Sequence, residues 1–189
     1  MISLRTYLII LALLVVERIF ELDKARRNAR RAFDHGAIEV GQVHYRVMVA
    51  MHTLFIVSCA LEATFFPHTI APAVPWIALF AELVAQGLRY WAVATLGERW
   101  NTRIIVSPER APVTDGPYRF MRHPNYLAVV IEIAAVPMIG GAIFTAIGFS
   151  VGNALILAVR IPAEERAMGG RYADALGSRR RFLPGLRHS

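Results

Sequence analysis

Three groups of residues in this chain of 189 have the types and spacing to do chemistry. The first is the run Gly116-Pro117-Tyr118-Arg119-Phe120-Met121-Arg122-His123-Pro124-Asn125-Tyr126. A residue before proline leans toward extended backbone, and proline suits the first helical position because the N–H it lacks has no partner there anyway. His123-Pro124 therefore predicts a helix start whose free N–H groups and positive dipole end open beside Arg122 and His123, a setting for a small anion. Plain helix initiation is the simpler account of the pair by itself. The second group is Arg160-Ile161-Pro162-Ala163-Glu164-Glu165-Arg166. Its adjacent carboxylates call for a cation, either Arg160 at i, i+4 from Glu164 or a bound sulfonium or ammonium group. The third is a scatter of ionisable residues inside apolar stretches: Glu62, Glu82, Arg89, Glu132 and Arg160, with Asn153 as a polar companion. At the middle of a bilayer each costs about 2.5–3.5 kcal/mol, so such groups turn toward a bundle interior or a substrate path. A structural ion pair or a snorkelling side chain explains any one of them equally well. Glu62, near an outer end, is expected to reach water.

The elements that must position these residues follow from composition. Hydrophobic residues make up 56% of the chain, charged residues 19%, and the mean hydropathy is +0.43. Those values exclude a disordered chain and argue against an ordinary water-soluble domain. Net charge is +7, and all but one of the 21 basic residues are Arg, gathered between long uncharged runs. Charge at the ends of apolar runs suits a membrane protein and does not suit a nucleic-acid binder, which needs it on a soluble face. A lone Cys59 excludes an intrachain disulfide, and the scattered His44, His52 and His68 give no metal-ligand pattern, so no metal is expected.

A crossing helix needs about 20 residues, which predicts spans near residues 2–22, 47–66 and 75–96. The uncharged run 133–159 is the ambiguous one. A single helix over 124–161 would measure roughly 57 Å, about twice the membrane core, whereas Pro137 with Gly140-Gly141 supplies the turn of a hairpin. Arginine placement agrees. Lys24, Arg26, Arg27, Arg30 and Arg31 follow the first span, Arg99, Arg103, Arg110, Arg119 and Arg122 follow the third, and Arg166, Arg171, Arg179 to Arg181 and Arg187 follow the last, while residues 67–74 hold none. Basic segments stay on the cytoplasmic side, so an even number of crossings separates them. The expected fold is an all-α integral membrane protein of five transmembrane helices, the last two a tight hairpin, amino terminus outside and carboxy terminus cytoplasmic. Residues 1–189 form one membrane domain, with two spans in 1–74 and a catalytic core in 75–189. Glu17, Arg18, Glu21 and Asp23 directly after the first apolar run favour an uncleaved span over a secretory signal. Arg89 lies about 10 Å below the cytoplasmic end of its helix, and with Arg160 it can face one cavity open to the cytosol.

In this order, on these elements, the motifs resemble the isoprenylcysteine carboxyl methyltransferase family. The likeness spans residues 81–186 and includes Arg89 through Gly97, Gly116-Pro117-Tyr118, the Arg122-to-Tyr126 helix start, Glu164-Glu165, Gly170 with Tyr172, and Arg181-Phe182-Leu183-Pro184. It implies an S-adenosylmethionine-dependent methyltransferase whose cofactor sits between the loop before the fourth helix and the segment after the fifth. By resemblance His123, Tyr126, Glu164 and Glu165 contact the cofactor, Pro124 opens the helix, and Arg122 and Tyr118 support them. Arg89 matches an arginine the family places near the methyl acceptor, and Arg160 is the second catalytic candidate. The implied acceptor is lipophilic and enters sideways from the bilayer, while the cofactor enters from the cytosol. Gly97-Glu98-Arg99-Trp100 and Arg103-Ile104-Ile105-Val106 resemble a bacterial branch, some members of which methylate a hydroxyl of alkylpyrones or alkylresorcinols. Ala128, where many relatives carry glycine, and Leu176, near a missing second tyrosine, depart from the family pattern. From the resemblance to that branch, a lipophilic acceptor methylated on oxygen, whether carboxylate, enol or phenol, is expected ahead of a prenylated substrate. The competing readings are a phospholipid N-methyltransferase, against which two buried arginines speak, a sterol-type reductase, which needs a nicotinamide site, and a small transporter lined by Glu82, Arg89 and Glu132.

Overall fold

The computed structural model describes residues 2–107 and 111–183. Arg110, Pro184, Leu186 and Arg187, used above, lie outside the described residues. Among the described residues the chain forms α1 (Leu4–Asp34), β1 (Ile38–Val40), α2 (Gln42–Phe65), α3 (Val74–Leu96), β2 (Ile104–Val106), α4 (Pro124–Ile139) and α5 (Ile143–Leu176). The start of α1 is capped by Ser3, whose hydroxyl accepts from the Thr6 N–H at 3.1 Å. With no glycine or proline before Gly36, the helix runs well past the expected span and carries the basic run 24–31 on helix rather than loop. Only at Gly36, φ +77°, does the chain turn.

The helix start predicted at His123-Pro124 is present: α4 begins at Pro124, with His123 at φ −128° as its cap. The expected hairpin is present too. Residues 140–142 join α4 to α5, and two glycines make that possible for different reasons. Gly141 has φ +75°, while a Cβ on Gly140 would sit 2.2 Å from the ring of Tyr7, which is fully buried. The turn is thereby pressed onto α1. A core of Tyr7, Leu11, Phe55, Cys59, Ile133, Val136 and Ile139 fills the space between α1, α2 and the hairpin.

Outward, large apolar side chains stay exposed on every long helix, among them Phe20, Leu54, Phe80, Phe144 and Leu155. Exposed apolar surface on that scale belongs against lipid. Among the described residues, α2, α3 and α5 are long and apolar enough to cross a membrane, and α4 is a shorter apolar helix. The chain is a helical integral membrane protein. α1 falls short of the same standard because Glu17, Arg18 and Glu21 interrupt its apolar half.

Four points add to the expectations or correct them. First, the helical fold carries one small ribbon: β1 and β2 pair antiparallel, Glu39 opposite Ile105, and tie the α1–α2 connection to the loop after α3. Strands of three residues are too short to announce themselves by alternation. Second, Glu62 does not reach water. It is buried and accepts from the N–H groups of Phe144 and Thr145 at 2.9 and 2.7 Å and from the Thr145 hydroxyl at 2.6 Å, so it caps α5 from a different helix. Third, α5 runs well beyond the uncharged run 133–159; it passes through Pro162 and breaks its helical geometry only at Gly169, φ +71° and ψ −165°. Fourth, of the two cations weighed for Glu164, Arg160 at i, i+4 does not pair with it directly. Both residues bond the same third group instead, as described below.

Candidate functional site

The loop before α4 and the distal half of α5 meet, and the chain segment after α5 fastens them. Backbone N–H groups of Arg122 and His123 donate to the carbonyls of Arg180 and Arg181, both at 3.0 Å. Glu165 on α5 gathers the side chains around this seam: Arg122 Nη1 at 3.0 Å, His123 Nε2 at 3.1 Å and Arg181 Nη2 at 2.7 Å. Hydrogen bonds to Glu165 push the Arg181 guanidinium above its ordinary value. Arg179 donates to the Tyr118 carbonyl at 2.7 Å, and burial, with Glu164 nearby, pushes the Tyr118 phenol up. Three separate stretches, 118–123, 164–165 and 179–181, thus converge on one carboxylate and its surroundings.

Beside that clamp Tyr126 links the two other site residues. Its hydroxyl donates to Glu164 Oε2 and accepts from Arg160 Nε at 2.7 Å. Arg160, 2% exposed, also donates from Nη2 to the Thr102 carbonyl at 2.7 Å, so the loop carrying β2 fixes it from the far side. The ring of His123 lies 5.3 Å from that of Tyr126 and 6.5 Å from that of Tyr172.

Deeper in the bundle stands a second cluster. Arg89 on α3 pairs with Glu132 on α4 and lies 3.8 Å from Glu21 on α1. Arg18 on α1 pairs with Glu21, with Glu17 at 3.3 Å and with Glu132 at 3.4 Å. Glu82, two turns before Arg89 on α3, is buried and accepts from Gln86 at 2.7 Å. Sequence reasoning placed Arg89 and Glu132 in the interior but missed Arg18 and Glu21. It read them as the end of a span, although Glu17 and Glu21 at i, i+4 lie on one helical face.

A cavity of about 960 Å³ connects the two clusters. Arg18, Glu21, Arg89 and Glu132 line its deep part, and Tyr118, Arg122, His123, Tyr126, Arg160 and Glu164 line the part near the start of α4. Both candidate arginines, Arg89 and Arg160, therefore border one space without touching each other. Two expected site residues do not border it. Pro124 is fully buried, and Glu165 faces its three cationic partners. Sequence also gave no sign of the parts played by Thr102, Arg179 and the Arg180 carbonyl, which act through backbone atoms or through contacts no motif announces.

The model of the isoprenylcysteine carboxyl methyltransferase family matches residues 76–169, from α3 through the kink in α5. The uncharacterized protein YpbQ of Bacillus subtilis (strain 168) is 39% identical over 161 residues, covering 85% of this chain and 95% of that protein. An uncharacterized protein of Haemophilus influenzae is 27% identical over 158 residues, covering 83% of this chain and 91% of that one. The matched span holds α3, the helix start at Pro124, the hairpin and the double glutamate in one connected site. This chain belongs to the isoprenylcysteine carboxyl methyltransferase family, and with it to the membrane methyltransferases.

Proposed function

We propose that the protein transfers a methyl group from S-adenosylmethionine to an oxygen of a lipophilic acceptor, with five membrane crossings, an external amino terminus and a site that faces the cytoplasm. The observation that carries this reading is the chain Arg160–Tyr126–Glu164 on the wall of a cavity that continues into the apolar bundle. S-adenosylmethionine is a cation at sulfur with a carboxylate and an ammonium at one end, so it needs acidic groups and donors close together. Glu164 supplies the first and Arg122 and Arg160 the second. The residues present fit such a ligand: Arg160 Nη1, Arg122 Nε, Asn125 Oδ1 and the Tyr172 hydroxyl have no hydrogen-bond partner among the described residues. A buried polar atom left alone costs about 1–3 kcal/mol, which a polar ligand recovers.

When bound, the cofactor supplies an electrophilic methyl group. This chain's residues supply the rest. Tyr126 and Arg160 orient the carboxylate of Glu164 toward the ligand's positive charge. Glu165 holds the α4 start, the α5 helix and the segment 179–181 in one geometry, and so acts by positioning. His123, Tyr118 and Tyr172 form the aromatic wall, and Pro124 sets where α4 begins. Arg89, fixed by Glu132 and Glu21, orients the acceptor's oxygen from the deep side. Apolar walls keep out water, which would otherwise compete for the methyl group and weaken each of these interactions. The bilayer is the reservoir of an acceptor whose tail follows the cavity between α1 and α2, where Val15, Ile19, Val49 and Val57 both line the space and stand exposed.

The test is direct. Purified protein, methyl-labelled S-adenosylmethionine and a host lipid extract should give label in the organic phase, and mass spectrometry identifies the product. Label retained after base treatment excludes a carboxyl ester, and the mass spectrum then separates an ether from an N-methyl group. Label released as methanol marks a carboxyl ester, and label on nitrogen, or none, contradicts the proposal.

A further inference from the structure

Arg160 is 2% exposed, and among the described residues no carboxylate bonds it directly. Its Nε donates to the Tyr126 hydroxyl and its Nη2 to the Thr102 carbonyl, both at 2.7 Å. A guanidinium is a flat, rigid fork, so bonds on two of its nitrogens fix its plane and the direction of the third. That third nitrogen, Nη1, has no hydrogen-bond partner among the described residues, and Arg160 lines the cavity. Tyr126 is carried by α4, whereas Thr102 lies in the loop between α3 and β2. The aim of Nη1 is therefore only as definite as that loop.

The residue that fixes the loop comes from outside the span 76–169 that matches the family. Asn28, buried on the stretch of α1 beyond its apolar half, donates from Nδ2 to the Gly97 carbonyl at 3.1 Å and to the Trp100 carbonyl at 2.8 Å. An amide nitrogen carries two hydrogens, one for each carbonyl. Asn101 returns the bond: its Nδ2 donates to the Ala25 carbonyl at 3.1 Å, while its Oδ1 accepts from the Arg103 N–H at 3.0 Å. Ala25, Val93 and Trp100 form a small buried cluster at the same junction. On the other side of Thr102, Arg103 lies 3.3 Å from Glu39 on β1. The Thr102 carbonyl is thus held from both sides, and Asn28 makes two of the bonds that hold it.

We propose that Asn28 is a positioning residue of the cofactor site: through the loop 97–102 it sets the Thr102 carbonyl, and through that carbonyl it aims Arg160 Nη1 at the carboxylate of S-adenosylmethionine. The inference rests on the cofactor reading above and adds to it a residue of α1. A buried guanidinium without a counter-ion calls for an anion, and the cofactor brings one. The bond between them is charge-assisted and directional, so it weakens steeply when the donor turns away. A purely structural Asn28 would change how much of the protein folds. A positioning Asn28 changes how tightly the folded protein binds.

Calorimetric titration of S-adenosylmethionine into the full-length protein in detergent separates these roles without any acceptor. Asn28→Asp keeps the size of the side chain but sets a carboxylate against two carbonyls, and Asn28→Ala removes the amide. Each should weaken binding about tenfold, with the number of sites per protein unchanged. Arg160→Ala should weaken it about a hundredfold. The double variant of Asn28→Ala with Arg160→Ala should bind no more weakly than Arg160→Ala alone, because Asn28 then has nothing left to aim. Coupling between sites is reciprocal, so in the wild-type protein saturating S-adenosylmethionine should slow hydrogen exchange at residues 25–31 and 97–103. Losses that multiply in the double variant, fewer sites at unchanged affinity, or exchange that ignores the cofactor would each overturn the role of Asn28 while the cofactor reading stands. Wild-type protein that binds no S-adenosylmethionine overturns both.

Discussion

The two polar clusters of this protein share one cavity yet are built in opposite ways. In the deep one, Arg18, Glu21, Arg89 and Glu132 come from three helices and answer one another's charge inside the apolar bundle. At the start of α4, the site is assembled from a loop, two helix ends and residues 179–181, tied across the seam by Glu165; both clusters hold polar atoms without a partner among the described residues, Arg18 Nε, Glu21 Oε1 and Arg89 Nε in the deep one and Arg122 Nε, Asn125 Oδ1, Arg160 Nη1 and the Tyr172 hydroxyl here. The difference is one of exchangeability. Removing one member of the deep network strands its partner's charge in a medium that cannot solvate it, so that network acts as a fixed frame. The site near Pro124 is joined instead by a loop and the segment 179–181, and in the proposed reading the unpartnered Arg160 Nη1 and Arg122 Nε serve a charged ligand. A cavity that joins a fixed frame to an adaptable site can hold a lipid in one part and a polar cofactor in the other.

The sharpest way to break this contrast is to remove Glu132. Glu132→Ala leaves Arg18 and Arg89 with Glu21 as their one remaining shared carboxylate and should cost about 3–5 kcal/mol of stability, read as thermal unfolding in detergent. Arg89→Ala should lower stability less if Arg18 takes over Glu132, and it should reduce turnover more than cofactor affinity. Equal loss of both would move Arg89 into the cofactor's site. At the other cluster, Glu165→Ala frees Arg122, His123 and Arg181 together, and S-adenosylmethionine affinity should fall by about a hundredfold, near 2.7 kcal/mol. Calorimetry showing unchanged affinity would make the clamp purely structural. Glu98→Ala, which removes an exposed pair with Arg31 at 2.5 Å, should cost less than about 1 kcal/mol. A larger loss there would mean that the contrast between buried and exposed pairs does not hold in this protein.

The same contrast explains what could be read from the sequence. The site near Pro124 was legible because its parts are short contiguous motifs: His123-Pro124 marks a helix start by backbone sterics alone, and Glu164-Glu165 stands out against an uncharged run. Pro137 and Gly140-Gly141 marked the hairpin for the same local reason. The deep cluster was only half legible. Arg89 and Glu132 are conspicuous in apolar surroundings, but their partners on α1 follow an apolar run and pass for a span's polar end. Glu62 capping a distant helix, Tyr126 standing between Arg160 and Glu164, and the β1–β2 ribbon all depend on which elements lie side by side, and no local pattern encodes that.

The central claim is that a sulfonium-bearing cofactor docks between the start of α4 and the distal half of α5. Calorimetric titration of S-adenosylmethionine into the purified protein, repeated with Glu164→Gln, tests it most directly. Saturable binding in the wild type that weakens at least about tenfold in the variant is the predicted result, and an affinity indifferent to Glu164 would contradict the account.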